Sequence, residues 1–319
     1  MSSTPVVVLD STLTDIADAI RGKNGSSDTY KPSEMPAAIT AIPSGGGGEG
    51  IPREVSANGV YGMPTQSFSF SLPSNATDVA ERALNGAFYD CTSLTSVNLS
   101  SLTAVSGPYA FSGAFSHCTS LTSVDLSSLT TVSGGSAFSE AFRVCPSLVS
   151  LDLSSLTTLS GTNALNSAFQ ACTSLTSVDL SSLTTLSGSL ALSSAFKECS
   201  NLASVDLSSL TTVSESSALS SVFYGCTSLT SVNFSSLATV SGWGSLSGAF
   251  HSCTSLTSLS FPALTASSFG SYTNQFNNML SGCSNVTVHF PAAIQSTIGS
   301  WASVTSGFGG TNTTVLFDL

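Results

Sequence analysis

Charge is what this sequence has least of. Only 8% of its 319 residues are Asp, Glu, Lys or Arg, against roughly 25% in an average soluble protein, so an ordinary enzyme surface is not expected. Cations are scarcer still: seven Lys and Arg stand against 18 Asp and Glu, a formal charge of −11. That balance repels phosphate backbones and anionic head groups, which argues against nucleic acid and membrane partners. No run of eighteen apolar residues occurs, so no transmembrane span is expected. Residues 1–10 hold no Lys or Arg and only the short apolar run Val6 to Leu9, so no secretory signal is read there.

Catalytic and metal motifs are missing too. There are three histidines, His117, His251 and His289, with no C-x-x-C and no H-x-x-x-H, which leaves no expected metal cage. No G-x-S-x-G elbow appears, and Gly45 to Gly48 is not followed by Lys and a hydroxyl residue, so neither a hydrolase serine nor a phosphate loop is read. The chain is expected to be a non-enzyme without cofactor.

What the sequence does contain is a repeat. Cys91, Cys118, Cys145, Cys172, Cys199, Cys226 and Cys253 fall 27 residues apart, and Cys283 follows after 30. A fixed period of this size signals a solenoid. Each unit reads A-F-x-x-C-T-S-L-T-S-V-D-L-S-S-L-T-T-V-S-G-x-x-A-[FL], and eight units fill residues 84–290. Phe111, Ala114, Phe115 and Cys118 have the spacing of one helix face. After the cysteine, Val124 and Leu126 alternate with Asp125 in the manner of a short strand. Ser-Gly pairs such as Ser160-Gly161 are read as the turn back.

One such unit cannot stand alone. Fixing its backbone costs about 1 to 2 kcal/mol per residue, while its large apolar side chains offer roughly 10 to 20 kcal/mol in all. Stacking buries both flanks, so the expected fold is an α/β solenoid of parallel strands about 4.8 Å apart plus short helices. The pattern L-x-x-[VL]-x-[LF] following A-F-x-x-C resembles the BspA-like leucine-rich repeats of bacterial and phage surface proteins, with Leu126, Leu129 and Val132 spaced one residue tighter.

The flanks differ in kind. Leu13, Ile16, Ala17 and Ile20, then Met35, Ile39 and Ile42, form two apolar stripes broken by Gly22, Asn24 and Gly25, which predicts a helical hairpin over 1–44. Residues 45–50 read as a glycine-rich linker, 51–83 as an N-terminal cap containing Phe68 and Phe70, and 291–319 as a C-terminal cap with a crossover helix and a last strand at Val315 to Leu319. The string from Leu13 to Lys23, with Met35-Pro36-Ala37-Ala38-Ile39, is similar to a module of phage and prophage tail-associated proteins from Gram-positive bacteria.

Three columns of residues bear on chemistry. The eight cysteines recur at one site of the unit and are read as reduced core residues, because helices packed about 8 to 10 Å apart would hold them beyond disulfide reach. Asp125, Asp152, Asp179 and Asp206 stack between Asn98 and Asn233. Such a ladder is either satisfied by neighbouring hydroxyls such as Ser123 and Ser127, or is a track for cations or polar glycans. Two positions before each cysteine the units diverge, with Tyr89, Arg143, Lys197, Tyr224 and His251. Tyr109 and Trp243 add aromatic side chains in the loops ahead of the predicted helices. These seven form a candidate binding edge.

The resemblances imply a structural or adhesive component of a phage or phage-like particle, anchored to other virion proteins through residues 1–44 and presenting the array to a host surface protein or glycan, in a homo-oligomeric assembly. The alternatives are a bacterial surface adhesin and an inert self-assembling spacer.

Overall fold

A computed structural model describes residues 68–72, 76–269, 274–299 and 308–319. The predicted hairpin over 1–44 and the linker 45–50 lie outside the described residues.

Short strands follow one another along the chain: β1 (Phe68–Ser71), β2 (Leu94–Asn98), β3 (Ala104–Val105), β4 (Ser123–Asp125), β5 (Thr131–Val132), β6 (Ser150–Asp152), β7 (Thr158–Leu159) and β8 (Ser177–Asp179). They continue as β9 (Thr185–Leu186), β10 (Ser204–Asp206), β11 (Thr212–Val213), β12 (Ser231–Asn233), β13 (Thr239–Val240), β14 (Ser258–Ser260), β15 (Thr287–Phe290) and β16 (Thr314–Phe317). They make a seven-stranded sheet ordered β1-β2-β4-β6-β8-β10-β12, a six-stranded sheet of β3 to β13, and a final sheet β14-β15-β16. All pairings are parallel, and within the array the register is one repeat, as in Ser123↔Ser150 and Val205↔Val232. The result is a parallel-strand solenoid of about nine turns.

Alternation explains the strands. Val124, Leu151, Val178, Val205 and Val232 point inward and are no more than 7% exposed, while the Ser and Asp or Asn on either side face out. Between the two sheets Leu129 donates its N–H to Leu126, and Leu156 to Leu153, which turns the chain within three residues.

The predicted short helix is absent, and this is the main correction to the sequence reading. Residues 188–199 form a ribbon of overlapping turns with two bonding patterns that alternate. Ala191, Ser193, Ala195, Lys197 and Cys199 donate three residues back. Leu192, Ser194, Phe196 and Glu198 instead donate forward to Ala218, Ser220, Val222 and Tyr224 in the next turn of the solenoid. Every fourth residue takes a positive φ to make this possible, as at Leu190 (57°), Ser194 (55°) and Glu198 (62°). Side chains then point in and out in pairs with period four. Ala110, Phe111, Ala114, Phe115 and Cys118 are all fully buried. The phenylalanines stack along the axis, with Phe115, Phe142, Phe169, Phe196, Phe223 and Phe250 at successive ring distances of 5.2, 5.4, 5.6, 6.0 and 5.6 Å.

The Ser-Gly glycines also serve a different purpose from the one expected. Gly134, Gly161 and Gly188 do not have positive φ. A Cβ on any of them would lie 2.2 to 2.4 Å from the carbonyl oxygen of the equivalent glycine one turn earlier. Glycine is needed here for close approach of backbones.

The ends continue the array, and the expectation of caps is not supported. β1 pairs in parallel with β2, and Thr103 and Ala104 donate to Thr77 as Thr130 and Thr131 donate to Thr103. Asp78 takes the N–H of Ser106 at 2.9 Å, the role filled for Ser133 by the carbonyl of Val105. At the other end a 3-10 turn (Ala292–Ile294) and the helix α1 (Gln295–Gly299) precede β16, which pairs in parallel with β15. β1 and β16 are the outermost strands, and nothing among the described residues pairs with their outer edges.

Candidate functional site

The acidic column is a set of loop closures. Asp125 is in register with Asp152, Asp152 with Asp179, and Asp179 with Asp206. Each carboxylate accepts the N–H of the serine two residues on, at 2.9 to 3.1 Å: Ser127, Ser154, Ser181 and Ser208. The hydroxyls of Ser127 and Ser154 add bonds of 2.6 Å. Asn98 and Asn233 make the same backbone bond to Ser100 and Ser235, so the position needs an acceptor oxygen and not a charge. The two bonds from Ser154 hold the Asp152 carboxyl below its ordinary pKa. Among the described residues no group of three or more His, Cys, Asp or Glu is placed to hold a metal ion.

Cys91, Cys118, Cys145, Cys172, Cys199, Cys226, Cys253 and Cys283 are buried, and none is in a disulfide. The spacing argument from helix packing does not hold, because the ribbons are joined by direct backbone bonds and stack at strand distance, roughly 4.8 Å. From Cys118 onward a carbonyl occupies each thiol: Cys118 Sγ donates to Phe88 at 3.2 Å, and Cys226 to Phe196 at 3.1 Å. The same Phe88 oxygen accepts the N–H of Cys91. Burial pushes the Cys91 and Cys145 thiols up to about 12, and the other six also upward. Thiols held this strongly in the neutral form are poor nucleophiles and poor metal ligands.

All seven residues of the candidate binding edge lie on the outer face of the turn ribbon, but at its two margins. Tyr89, Arg143, Lys197, Tyr224 and His251 occupy the margin next to the cysteines. Tyr109 and Trp243 occupy the opposite margin, where they are 41% and 54% exposed. On the first margin three neighbours form a continuous stack. Lys197 Nζ stands 4.9 Å from the Tyr224 ring centroid, and the Tyr224 and His251 rings are 4.3 Å apart and 9° from parallel. Ser252 Oγ lies 2.9 Å from His251 Nδ1 and holds that ring, and Glu198 sits 3.8 Å from Lys197. Arg143 is set apart, 3.9 Å from Glu140.

Sequence reasoning missed Arg82, whose guanidinium lies 5.1 Å from the Tyr109 centroid, and His117, 5.3 Å from the Tyr89 ring. With them a simple division emerges. Among the described residues every Lys, Arg, Tyr and Trp lies on the ribbon face, while the outward positions of the two long sheets carry Ser, Thr, Asp and Asn, with Ala104 the exception.

A stacked array of parallel strands, built from one leucine-rich unit repeated along the chain, defines the class of the protein as a leucine-rich-repeat solenoid. The model of the BspA type leucine rich repeat region matches residues 63–140, 85–217, 113–244 and 166–302, and the chain belongs to that family. Among solved structures it is similar to a leucine rich repeat protein of T. pallidum, at 21% identity and TM-score 0.41 over 83% of this chain and 96% of that one. It is also similar to a leucine rich cell surface protein from Faecalibacterium prausnitzii, at 19% identity and TM-score 0.33 over 77% and 59% of the two chains. The pneumococcal vaccine antigen PcpA matches at 16% identity and TM-score 0.28 over 85% and 84%. No curated protein matches the chain. No family match covers residues 1–62, and the resemblance of that stretch to phage tail proteins gains no support from these comparisons.

Proposed function

We propose that the protein is a non-enzymatic adhesin-type module, a rigid repeat body that meets a host or neighbouring cell surface with its ribbon face. The observation that carries this reading is the segregation of side chains. Trp, Tyr and Arg supply most of the energy in recognition surfaces, and here, among the described residues, every Lys, Arg, Tyr and Trp lies on one face, with His289 on the last sheet the one part-exposed imidazole outside it. Membership of the BspA type family fits this role better than a virion role does.

The test is binding of fluorescently labelled full-length protein to a panel of bacterial and animal cells. Changing Tyr224, Trp243 and His251 together to Ala is expected to abolish binding with the circular dichroism spectrum unchanged. Binding that survives this change but is lost on replacing the four ladder aspartates by Asn would move the contact to the sheet face and overturn the reading. The phage reading rests mainly on the stretch from Leu13 to Ile42; absence of the intact chain from particles would remove it, and incorporation of a variant lacking residues 1–44 as efficiently as the intact chain would remove the anchoring role of that stretch.

A further inference from the structure

Near the C-terminal end of the ribbon face the two margins carry aromatic rings in the same and adjacent turns. Trp243, more than half exposed, stands on one side, and the parallel pair Tyr224 and His251 stands on the other. Trp243 and His251 are two four-residue steps of the ribbon apart. Trp243 is thus set off from the Tyr224 and His251 pair by the turn residues Gly244, Ser247 and Gly248.

In the turns that carry Trp243 and Tyr224 the floor between them holds nothing larger than serine. It is made of Gly244, Ser247 and Gly248 in one turn and Ser217, Ser220 and Ser221 in the turn before. The next turn adds the exposed amides of Asn277 and Asn278. Ser220 and Ser247 donate their hydroxyls to carbonyls of the following turn, at 3.1 Å each, which fixes them with lone pairs still open to a ligand donor. No carboxylate, Lys or Arg lies in this floor. Of the charged residues at its edges, Lys197 and Glu198 are paired with each other, and Glu215, beside Gly242 in the turn before, accepts the Ser189 hydroxyl at 3.4 Å.

We propose that this trough is a binding site for an uncharged oligosaccharide. The inference rests on the reading of the ribbon face as the contact face and names the chemical class it takes. Aromatic planes offer a π-face to the C–H faces of pyranose rings, and hydroxyls and amides on a flat floor match the sugar's own hydroxyls as donors and acceptors. A protein partner would require an apolar centre to the patch, and no Leu, Ile, Val, Met or Phe side chain is part of this floor. An acidic glycan would require an unpaired cation. The Ser252 contact and the stacking on Tyr224 hold His251 in place before any ligand arrives, which lowers the ordering cost of binding.

The experiment is affinity electrophoresis of the full chain in gels cast with yeast mannan, xylan or laminarin, and with hyaluronan as the acidic counterpart. Retardation by at least one neutral polysaccharide is expected, weakened about tenfold or more in Trp243→Ala and in Tyr224→Ala, and unchanged in Val149→Ser, an exposed side chain beside β6 and away from the ribbon face. Retardation by hyaluronan alone, by none of the four, or to the same degree in all three variants would overturn the site. Periodate and protease treatment of target cells separates this failure from that of the adhesin reading. Cell binding that survives periodate but not protease sinks the glycan site and leaves adhesion standing, whereas absence of any cell binding sinks both.

Discussion

Cys199 Sγ donates a 3.1 Å hydrogen bond to the carbonyl oxygen of Phe169, one turn earlier in the solenoid. That oxygen already accepts the N–H of Cys172, so the thiol satisfies a second lone pair that a Val or Ala at the same place would leave facing the core. Repeated along the array, this bond explains a cysteine at every turn without redox chemistry or metal.

Alkaline lability follows from the same column. The folded thiols bind their protons more tightly than unfolded ones, from an ordinary 9.0 up to about 12 at Cys91 and Cys145. Between those pH values the unfolded state carries fewer protons, so stability falls as pH rises. Each thiol contributes about 1.4 kcal/mol per pH unit in that window. Chemical denaturation at pH 7, 9 and 10.5 is expected to show little change up to pH 9 and a steep loss above it, with no thiol reacting with a disulfide reagent while the chain is folded. Stability that is level from pH 8 to 11 would contradict the burial of the column.

The glycine column gives a pair of opposite substitutions. Ser133, Ser160, Ser187 and Ser241 donate their N–H groups to Val105, Val132, Leu159 and Val213, each in the turn before, but Ser214 makes no such bond to Leu186. Ser214 is also followed by Glu215 where neighbouring turns have Gly188 and Gly242. Gly161→Ala is expected to cost about 1 to 3 kcal/mol, since its Cβ would meet the Gly134 carbonyl at 2.3 Å. Glu215→Gly is expected to raise the melting temperature, because a regained hydrogen bond of about 1 kcal/mol and relief of that contact exceed the entropy of one glycine, roughly 0.5 to 1 kcal/mol. Thermal melts of both variants decide the matter, and a lower melting temperature in Glu215→Gly would refute the close-approach account.

How far the sequence can be read depends on the range of the forces involved. The alternation of Val124 with Ser123 and Asp125 is a local pattern with a period of two, and it predicts the strands correctly. The ribbon is mistaken for a helix because Phe111, Ala114, Phe115 and Cys118 suit a helix and a four-residue period equally well. Ala110 separates the two, since a helix would turn it about 80° away from Cys118, whereas both are buried here. Gly161 reads as a turn residue because the backbone it meets, at Gly134, belongs to the previous turn and is invisible to local patterns. Arg82 escapes notice for a related reason: it lies one period before Tyr109, in a stretch that reads as a cap and does not invite alignment with the array. The column of Lys197, Tyr224 and His251 can be seen in aligned units, but not the ring stacking that makes it continuous.

Positive φ in the ribbon supplies a direct check on its geometry. Ala171 has φ of 60° just before its cysteine, where other turns use Gly225 and Gly282. The left-handed region costs a residue with a Cβ about 1 to 2 kcal/mol, against about 0.5 to 1 kcal/mol for the added freedom of glycine when unfolded. Ala171→Gly is therefore expected to be neutral or stabilising, and Ala195→Gly, at an inward position of ordinary φ, destabilising. A helix would lose stability at both sites, so equal losses in thermal melts would restore the helical reading.

The aspartate ladder separates structure from ligand by a charge test. In-register carboxylates about 5 Å apart repel by roughly 0.8 kcal/mol per adjacent pair in water, and Asn98 and Asn233 show that an amide makes the same bond to the serine two residues on. Asp152→Asn with Asp179→Asn is thus expected to raise the melting temperature at low salt, with the gain shrinking as salt screens the repulsion. Asp152→Ala, which removes the acceptor, is expected to cost about 1 kcal/mol at any salt. Calcium at millimolar concentration is expected to leave the wild-type melt where equal ionic strength of sodium chloride leaves it. A calcium-specific rise in the wild type that vanishes in the Asn variant would show that the ladder binds cations, and would make its charge, and not only its acceptor oxygens, part of the function.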